Sequence, residues 1–233
     1  MNPLKNMTLS LSHLLFPQVC PGCGSEFNEA NQLVCLRCHH KLPVTQFHHL
    51  SGNPIEKIFW GRVPISAASC HYYFNKQSIL QKIIHQFKYE GKKKVGEYFG
   101  KQMADALLQS DRFTALDALV PLPLHDKRQK ERGYNQTFVL CESMAERMRL
   151  PVLSNVMKRI SATTTQTRKS RIDRWKNMEG KFQLIDKDLL RNKHVLLVDD
   201  IITTGATLDA CASELLLVEN IRISIAALAY TMI

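Results

Sequence analysis

The sequence predicts an α/β domain with a central, mostly parallel β-sheet flanked by helices, plus a small amino-terminal module built on four cysteines. Three observations carry this expectation. Val195, Leu196, Leu197 and Val198 form an unbroken apolar run, the pattern of a strand buried on both faces. Apolar residues recur at helical spacing over 77–89, 92–108, 134–149 and 208–218, between shorter β-branched or apolar runs. Two Cys-x-x-Cys pairs stand near the start, with eleven residues between them.

A length of 233 residues suits one α/β domain of ordinary size with an appendage, divided here as 1–50 for the cysteine module and 51–233 for the larger domain. Hydrophobic residues make up 45% of the chain, enough for a core, yet no run reaches the ~18 apolar residues of a membrane span. The apolar patch of Leu9, Leu11, Leu14, Leu15 and Phe16 is interrupted by polar residues and lacks a small-residue cleavage site. No signal peptide is therefore expected, and the cytoplasm is the expected location. Lys+Arg 31 against Asp+Glu 21 gives a net charge of +10, which favours polyanionic partners.

Cys20-Pro-Gly-Cys23 and Cys35-Leu-Arg-Cys38 each let one tight turn present two sulfurs to a single ion. Together they predict a closed, all-sulfur, structural zinc site. A disulfide pairing is the weaker account for a cytoplasmic chain, and a redox dithiol needs only one pair. His39 and His40 adjoin the second pair, but four thiolates leave them no coordination position. Cys70, Cys141 and Cys211 stand singly in apolar or helical stretches and read as buried free thiols.

Residues 41–53 turn polar and read as a linker. A β-rich segment follows at 62–74, then a helix with Ile79, Leu80, Ile83, Ile84 and Phe87 on one face. The lysine triplet at 92–94 opens a second helix. Leu116 to Leu119 lead a strand that Pro121 and Pro123 end. That strand empties into Lys127, Arg128, Lys130 and Arg132, where guanidinium forks and ammonium charges suit a diphosphate. Residues 161–180 hold few apolar side chains and many basic ones, and read as a long loop. Fourteen basic against five acidic residues between 127 and 181 give this region +9, nearly the whole excess of the chain.

Everything turns on 195–207. Asp199 and Asp200 follow the apolar run, where open α/β sheets place ligands. Thr203, Thr204, Gly205, Ala206 and Thr207 then lead into a helix, so free N–H groups, hydroxyls and the positive helix end offer a phosphate cradle. Two carboxylates would repel phosphate but suit vicinal hydroxyls. The implied ligand is a phosphorylated sugar; the plainer alternative is a buried strand with an acidic turn capping a helix.

This stretch resembles the signature of the type I phosphoribosyltransferases, which bind phosphoribosyl pyrophosphate (PRPP). The resemblance implies a type I phosphoribosyltransferase-like fold, ribose hydroxyls on Asp199 and Asp200, and the 5′-phosphate on residues 203–207. Pro121-Leu-Pro123, Arg128 and Arg132-Gly-Tyr-Asn-Gln136 narrow the likeness to the ComF family. Leu15-Phe-Pro17 before the first cysteine pair, Phe87-Lys-Tyr-Glu-Gly91, Thr165-Gln166, Arg174, Asn177 and Gly180-Lys-Phe182 agree with it. By likeness of position and charge, Arg168, Lys169, Arg171 and Arg174 would belong to a loop closing over the diphosphate, alongside Arg128 and Arg132. Mg²⁺ would accompany PRPP. The family resemblance further implies a part in DNA uptake during natural transformation, with single-stranded DNA and the uptake machinery as partners. An active phosphoribosyltransferase of unknown acceptor and a PRPP-sensing regulator are the alternatives. No catalytic base is identifiable. With 26 residues after Thr207, any acceptor site is expected within about the first 75 residues.

Overall fold

The computed structural model describes residues 18–27, 32–160 and 180–231. Four strands, β1 (Ala67–Tyr73), β2 (Ala118–Pro121), β5 (His194–Ile202) and β6 (Arg222–Tyr230), form one all-parallel sheet in the order β1-β6-β5-β2. Two short strands, β3 (Met157–Arg159) and β4 (Phe182–Leu184), pair antiparallel beside it.

The run at 195–198 is buried on both sides because successive strand residues point to opposite faces. Leu196 and Val198 join the core beneath α3 (Ile79–Tyr89), α4 (Lys93–Leu108) and α6 (Gln136–Met148). Val195 and Leu197 join the opposite core, with α2 (Pro54–Phe59) and α7 (Ala206–Leu215). Ser78 starts α3 by accepting from the Gln81 N–H, and Leu80, Ile83, Ile84 and Phe87 bury its apolar stripe. Helices α4 and α6 meet closely because Gly100 carries no side chain: a Cβ there would lie 2.7 Å from the Leu140 carbonyl oxygen.

Residues 41–53 are not the linker expected. Val44 bridges to Tyr72, Phe47 and His48 are buried, and the Thr45 hydroxyl donates to the Cys70 carbonyl. Asn53 donates 2.8 Å to the Ala68 carbonyl, and its own oxygen caps α2 through the Ile55 N–H at 2.9 Å. Polar residues here serve backbone groups, a use that composition alone does not distinguish from solvation. The basic stretch after β2 likewise forms a helix, α5 (Asp126–Arg132), ended by Gly133. The short helix α1 (Leu36–His39) carries the second cysteine pair, and Cys20, Val34, Cys38 and Leu42 share one buried cluster with Leu80 and Ile83. The cysteine module therefore packs on the α3 side of the sheet.

Candidate functional site

Strand β5 runs four residues beyond Val198, so Asp199 and Asp200 lie inside it rather than after it. Strand alternation separates them. Asp199 lies on the α7 and β3 side, near Cys211 and Arg159. Asp200 lies on the α3 side, where its Oδ2 pairs with Lys88 Nζ at 2.6 Å; both side chains are 15% exposed. The Asp200 N–H donates to Asp199 Oδ1 at 2.7 Å. Burial and then the neighbouring Asp200 push Asp199 up to about 7.

The turn after β5 contains the second half of the site. Thr203 is exposed, Thr204 and Ala206 are buried and Thr207 is half-buried. Gly205 is the N-cap of α7, with φ of 74°, and has no side chain with which to cap the helix. Side chains of Asn53, Ser78 and Asn135 close the starts of α2, α3 and α6. At α7, as at α4, no side chain caps the first-turn N–H groups, and the helix dipole favours an anion there.

The third part lies past β2. Arg128 and Arg132 are half-buried on α5. Arg132 donates to Gln136 Oε1 at 2.8 Å, and its guanidinium sits 5.3 Å from the centre of the Tyr89 ring. Arg159 of β3 is buried against Phe182, and burial together with Arg128 pulls its guanidinium below the usual range while Asp199 opposes that. Arg159 was not singled out from sequence, and Lys88 was quoted only within Phe87-Lys-Tyr-Glu-Gly91 with no site role, because they come from β3 and α3 and share no spacing with residues 199–207. Arg168, Lys169, Arg171, Arg174, Thr165, Gln166 and Asn177 lie outside the described residues, as does Leu15-Phe-Pro17. β3 and β4 bring the flanks of 161–179 together, with the Ile160 N–H donating 2.8 Å to the Lys181 carbonyl.

Such an arrangement offers hydroxyl acceptors, an anion cradle and a cationic corner along one end of the sheet. It holds no activated nucleophile among the described residues. Cys141 and Cys211 are fully buried, and burial pushes both thiols well up.

The four cysteines form a separate centre. Cys20, Cys23, Cys35 and Cys38 bring their sulfurs within 4.8 Å of one another, the only group of three or more potential ligands among the described residues. Side-chain and backbone hydrogen bonds from Ser25 lower Cys23 to about 6, while burial and the neighbouring cysteines push Cys38 far up. Four thiolates at such distances repel one another unless a cation lies between them, so the donor set fits a metal ion. His39 and His40 are exposed beside it. A groove of about 820 Å³ lies between this module and α4 and does not touch Asp199 or Asp200.

Comparison with known proteins gives a consistent picture. A family model described as "Phosphoribosyl transferase domain" matches residues 96–232. "Competence protein F" of Haemophilus influenzae is 30% identical over 218 residues, covering 91% of this chain and 90% of that protein. "DNA utilization protein YhgH" of Escherichia coli is 28% identical over 217 residues, covering 91% and 89%. "Competence protein ComFC" of Bacillus subtilis is 26% identical over 225 residues, covering 85% and 88%. Among solved structures, an adenine phosphoribosyltransferase from Thermoanaerobacter pseudethanolicus matches 76% of this chain and 99% of its own at 14% identity. Its TM-score of 0.39 is too low to carry weight.

Proposed function

This chain belongs to the phosphoribosyl transferase domain family and, within it, to the ComF group of competence proteins, and from that premise we propose that it binds PRPP and acts on incoming DNA. One observation carries the ligand: the carboxylates of Asp199 and Asp200 stand directly before an α7 start whose N-cap is the side-chain-free Gly205. Vicinal ribose hydroxyls donate to the acids, and the 5′-phosphate accepts from the N–H groups and hydroxyls of 203–207. The diphosphate lies toward Arg128, Arg132 and Arg159. Arg168, Lys169, Arg171 and Arg174 extend this cationic set in sequence. Among the described residues no further carboxylate cluster is present, so Mg²⁺ would be held by the diphosphate oxygens and water.

The DNA role rests on what the relatives are named for, competence and DNA utilization, and on surface chemistry. The +9 of residues 127–181 suits a phosphate backbone. Trp60 is 62% exposed, with Lys57 Nζ 5.8 Å from its ring centre, and offers a stacking face for an unpaired base. We place the protein in the cytoplasm, beside the uptake machinery. No helix among the described residues is long and apolar enough to cross a membrane. We divide the chain functionally into residues 1–50, whose four-cysteine part zinc would hold, and residues 51–233, which hold the ligand.

A second reading, phosphoribosyl transfer, has support in the cationic corner: Arg128, Arg132 and Arg159 would stabilise a departing diphosphate. A PRPP-sensing regulator needs only the binding half. Thermal shift with PRPP and Mg²⁺ tests the shared premise, since a ligand that binds only the folded state raises Tm. The Asp199→Asn, Asp200→Asn double variant is expected to lose that shift; retention of the full shift would overturn the assignment.

A further inference from the structure

Two sequence segments far apart in the chain are fastened to each other at the edge of the candidate site. The Tyr134 hydroxyl donates to the backbone carbonyl of Phe87, and their rings lie 5.9 Å apart. Two residues on, Tyr89 lies beneath the Arg132 guanidinium at 5.3 Å. Lys93 Nζ stands 5.3 Å from the Tyr134 ring, closing the same corner from α4. Lys88 sits between the two fastened residues of α3, and Lys88 is the residue that reaches Asp200.

The last turn of α3 thus joins the two halves of the site. One side of it touches the acid assigned to a ribose hydroxyl, and the other supports an arginine assigned to the diphosphate. An ammonium has three donors in a flexible arrangement. Asp200 takes one at 2.6 Å, leaving two for a second acceptor. Both partners are only 15% exposed, so water competes weakly for those donors. The favourable position of a cation in the last turn of a helix explains why Lys88 is tolerated there, but not why it is directed into the strand end.

We infer that Lys88 is the specificity residue that recognises the diphosphate at the anomeric carbon, bridging it to Asp200 and so distinguishing PRPP from ribose 5-phosphate. This rests on the PRPP reading of the site and adds a residue and a selectivity to it. Ribose 5-phosphate presents the same hydroxyls and the same 5′-phosphate, but only a neutral anomeric hydroxyl in place of the charged diphosphate for the two remaining donors of Lys88. An ion pair that served only to neutralise Asp200 would affect both ligands alike.

The test is calorimetric titration of the full chain with PRPP plus Mg²⁺ and, separately, with ribose 5-phosphate. Wild type, Lys88→Met and Lys88→Arg are compared, with circular dichroism and Tm confirming that each variant is folded. Lys88→Met is expected to weaken PRPP binding about 10- to 100-fold, the size of one charge-assisted hydrogen bond, and to leave ribose 5-phosphate within about threefold. Lys88→Arg should recover part of the PRPP affinity. Equal loss for both ligands, or no loss for either, overturns the inference while wild-type PRPP binding keeps the site assignment intact. If wild type binds neither ligand, the site assignment fails and the inference with it. If Lys88→Met does not fold, Lys88→Arg decides: an unchanged ratio of the two affinities overturns the inference.

Discussion

Gly205 and Ile58 are packed so closely that a Cβ on the glycine would stand 2.4 Å from Ile58 Cγ2. The turn at 203–207 therefore has α2 as its floor. Phe59 lies behind it, 3.5 Å from where that Cβ would stand, in the same core as Val195 and Leu197. The turn is shaped from below by a helix that begins some 150 residues earlier in sequence.

Gly205→Ala is accordingly strained twice, by its φ of 74° and by the contact with Ile58. We expect a loss of roughly 2–4 kcal/mol and disappearance of the PRPP-induced Tm shift. Adding Ile58→Ala relieves the contact but not the backbone strain. The double variant should therefore melt higher than the sum of the single effects predicts. Strict additivity in a double-mutant cycle by chemical denaturation would show that the contact plays no part.

Asp199 gives the protein a pH dependence with a definite sign. Its carboxyl, pushed up to about 7 in the folded state, binds protons more tightly folded than unfolded. The resulting destabilisation is complete above about pH 7 and is relieved as pH falls through 7 toward 4. Asp199→Asn should raise Tm at pH 8 and lose that advantage near pH 4.5. Ligand affinity runs the other way, because the ionised carboxylate accepts the ribose hydroxyl. Wild-type PRPP binding should weaken from pH 8 to pH 6, by at most about tenfold per unit. A flat affinity profile would remove Asp199 from the hydroxyl contacts.

The cysteine centre should carry about one zinc per chain by elemental analysis. Its loss is expected to reach the ligand site, because Gln86 of α3 donates 2.8 Å to the Pro21 carbonyl inside the first knuckle. Cys20 and Cys38 also share the core of Leu80 and Ile83. Stripping the metal with a chelator should lower Tm and weaken PRPP binding together, with both restored by zinc. Unchanged PRPP affinity in the metal-free protein would show that α3 holds its place unaided.

For single-stranded DNA, Trp60→Ala should weaken oligothymidylate binding about 5- to 100-fold, the range for one stacked base. Only two tryptophans are present, so Trp175→Phe leaves Trp60 as the sole reporter, and its emission should change on titration. Affinity should fall steeply with salt. Undiminished binding by Trp60→Ala would move the stacking surface elsewhere, and no binding at low salt would end the DNA proposal.

The features legible in the sequence are those whose chemistry lies within about a dozen consecutive residues. Two Cys-x-x-Cys turns, the apolar run at 195–198, the acids behind it and the glycine before a helix each announce themselves by spacing. The structure describes all of them, and the parallel sheet follows from the same runs. The polar stretch 41–53 reads as a linker but packs on β1, because polar side chains that cap a helix or bond backbone have the same composition as those that merely meet water.

What only the tertiary structure decided is which distant residues meet. Lys88 and Arg159 flank an acid pair more than a hundred and about forty residues away in sequence. Ile58 floors a turn at 205, and Phe87 takes a hydrogen bond from Tyr134. Strand alternation turns Asp199 and Asp200 to opposite faces, yet Lys88 of α3 acts as counter-charge to both, and Arg159 of β3 adds to Asp199. Local spacing determines which groups a segment presents. Their partners, and hence the charge and selectivity of the site, are set by how helices pack across a sheet, a relation carried by shape and burial rather than by neighbours in the chain.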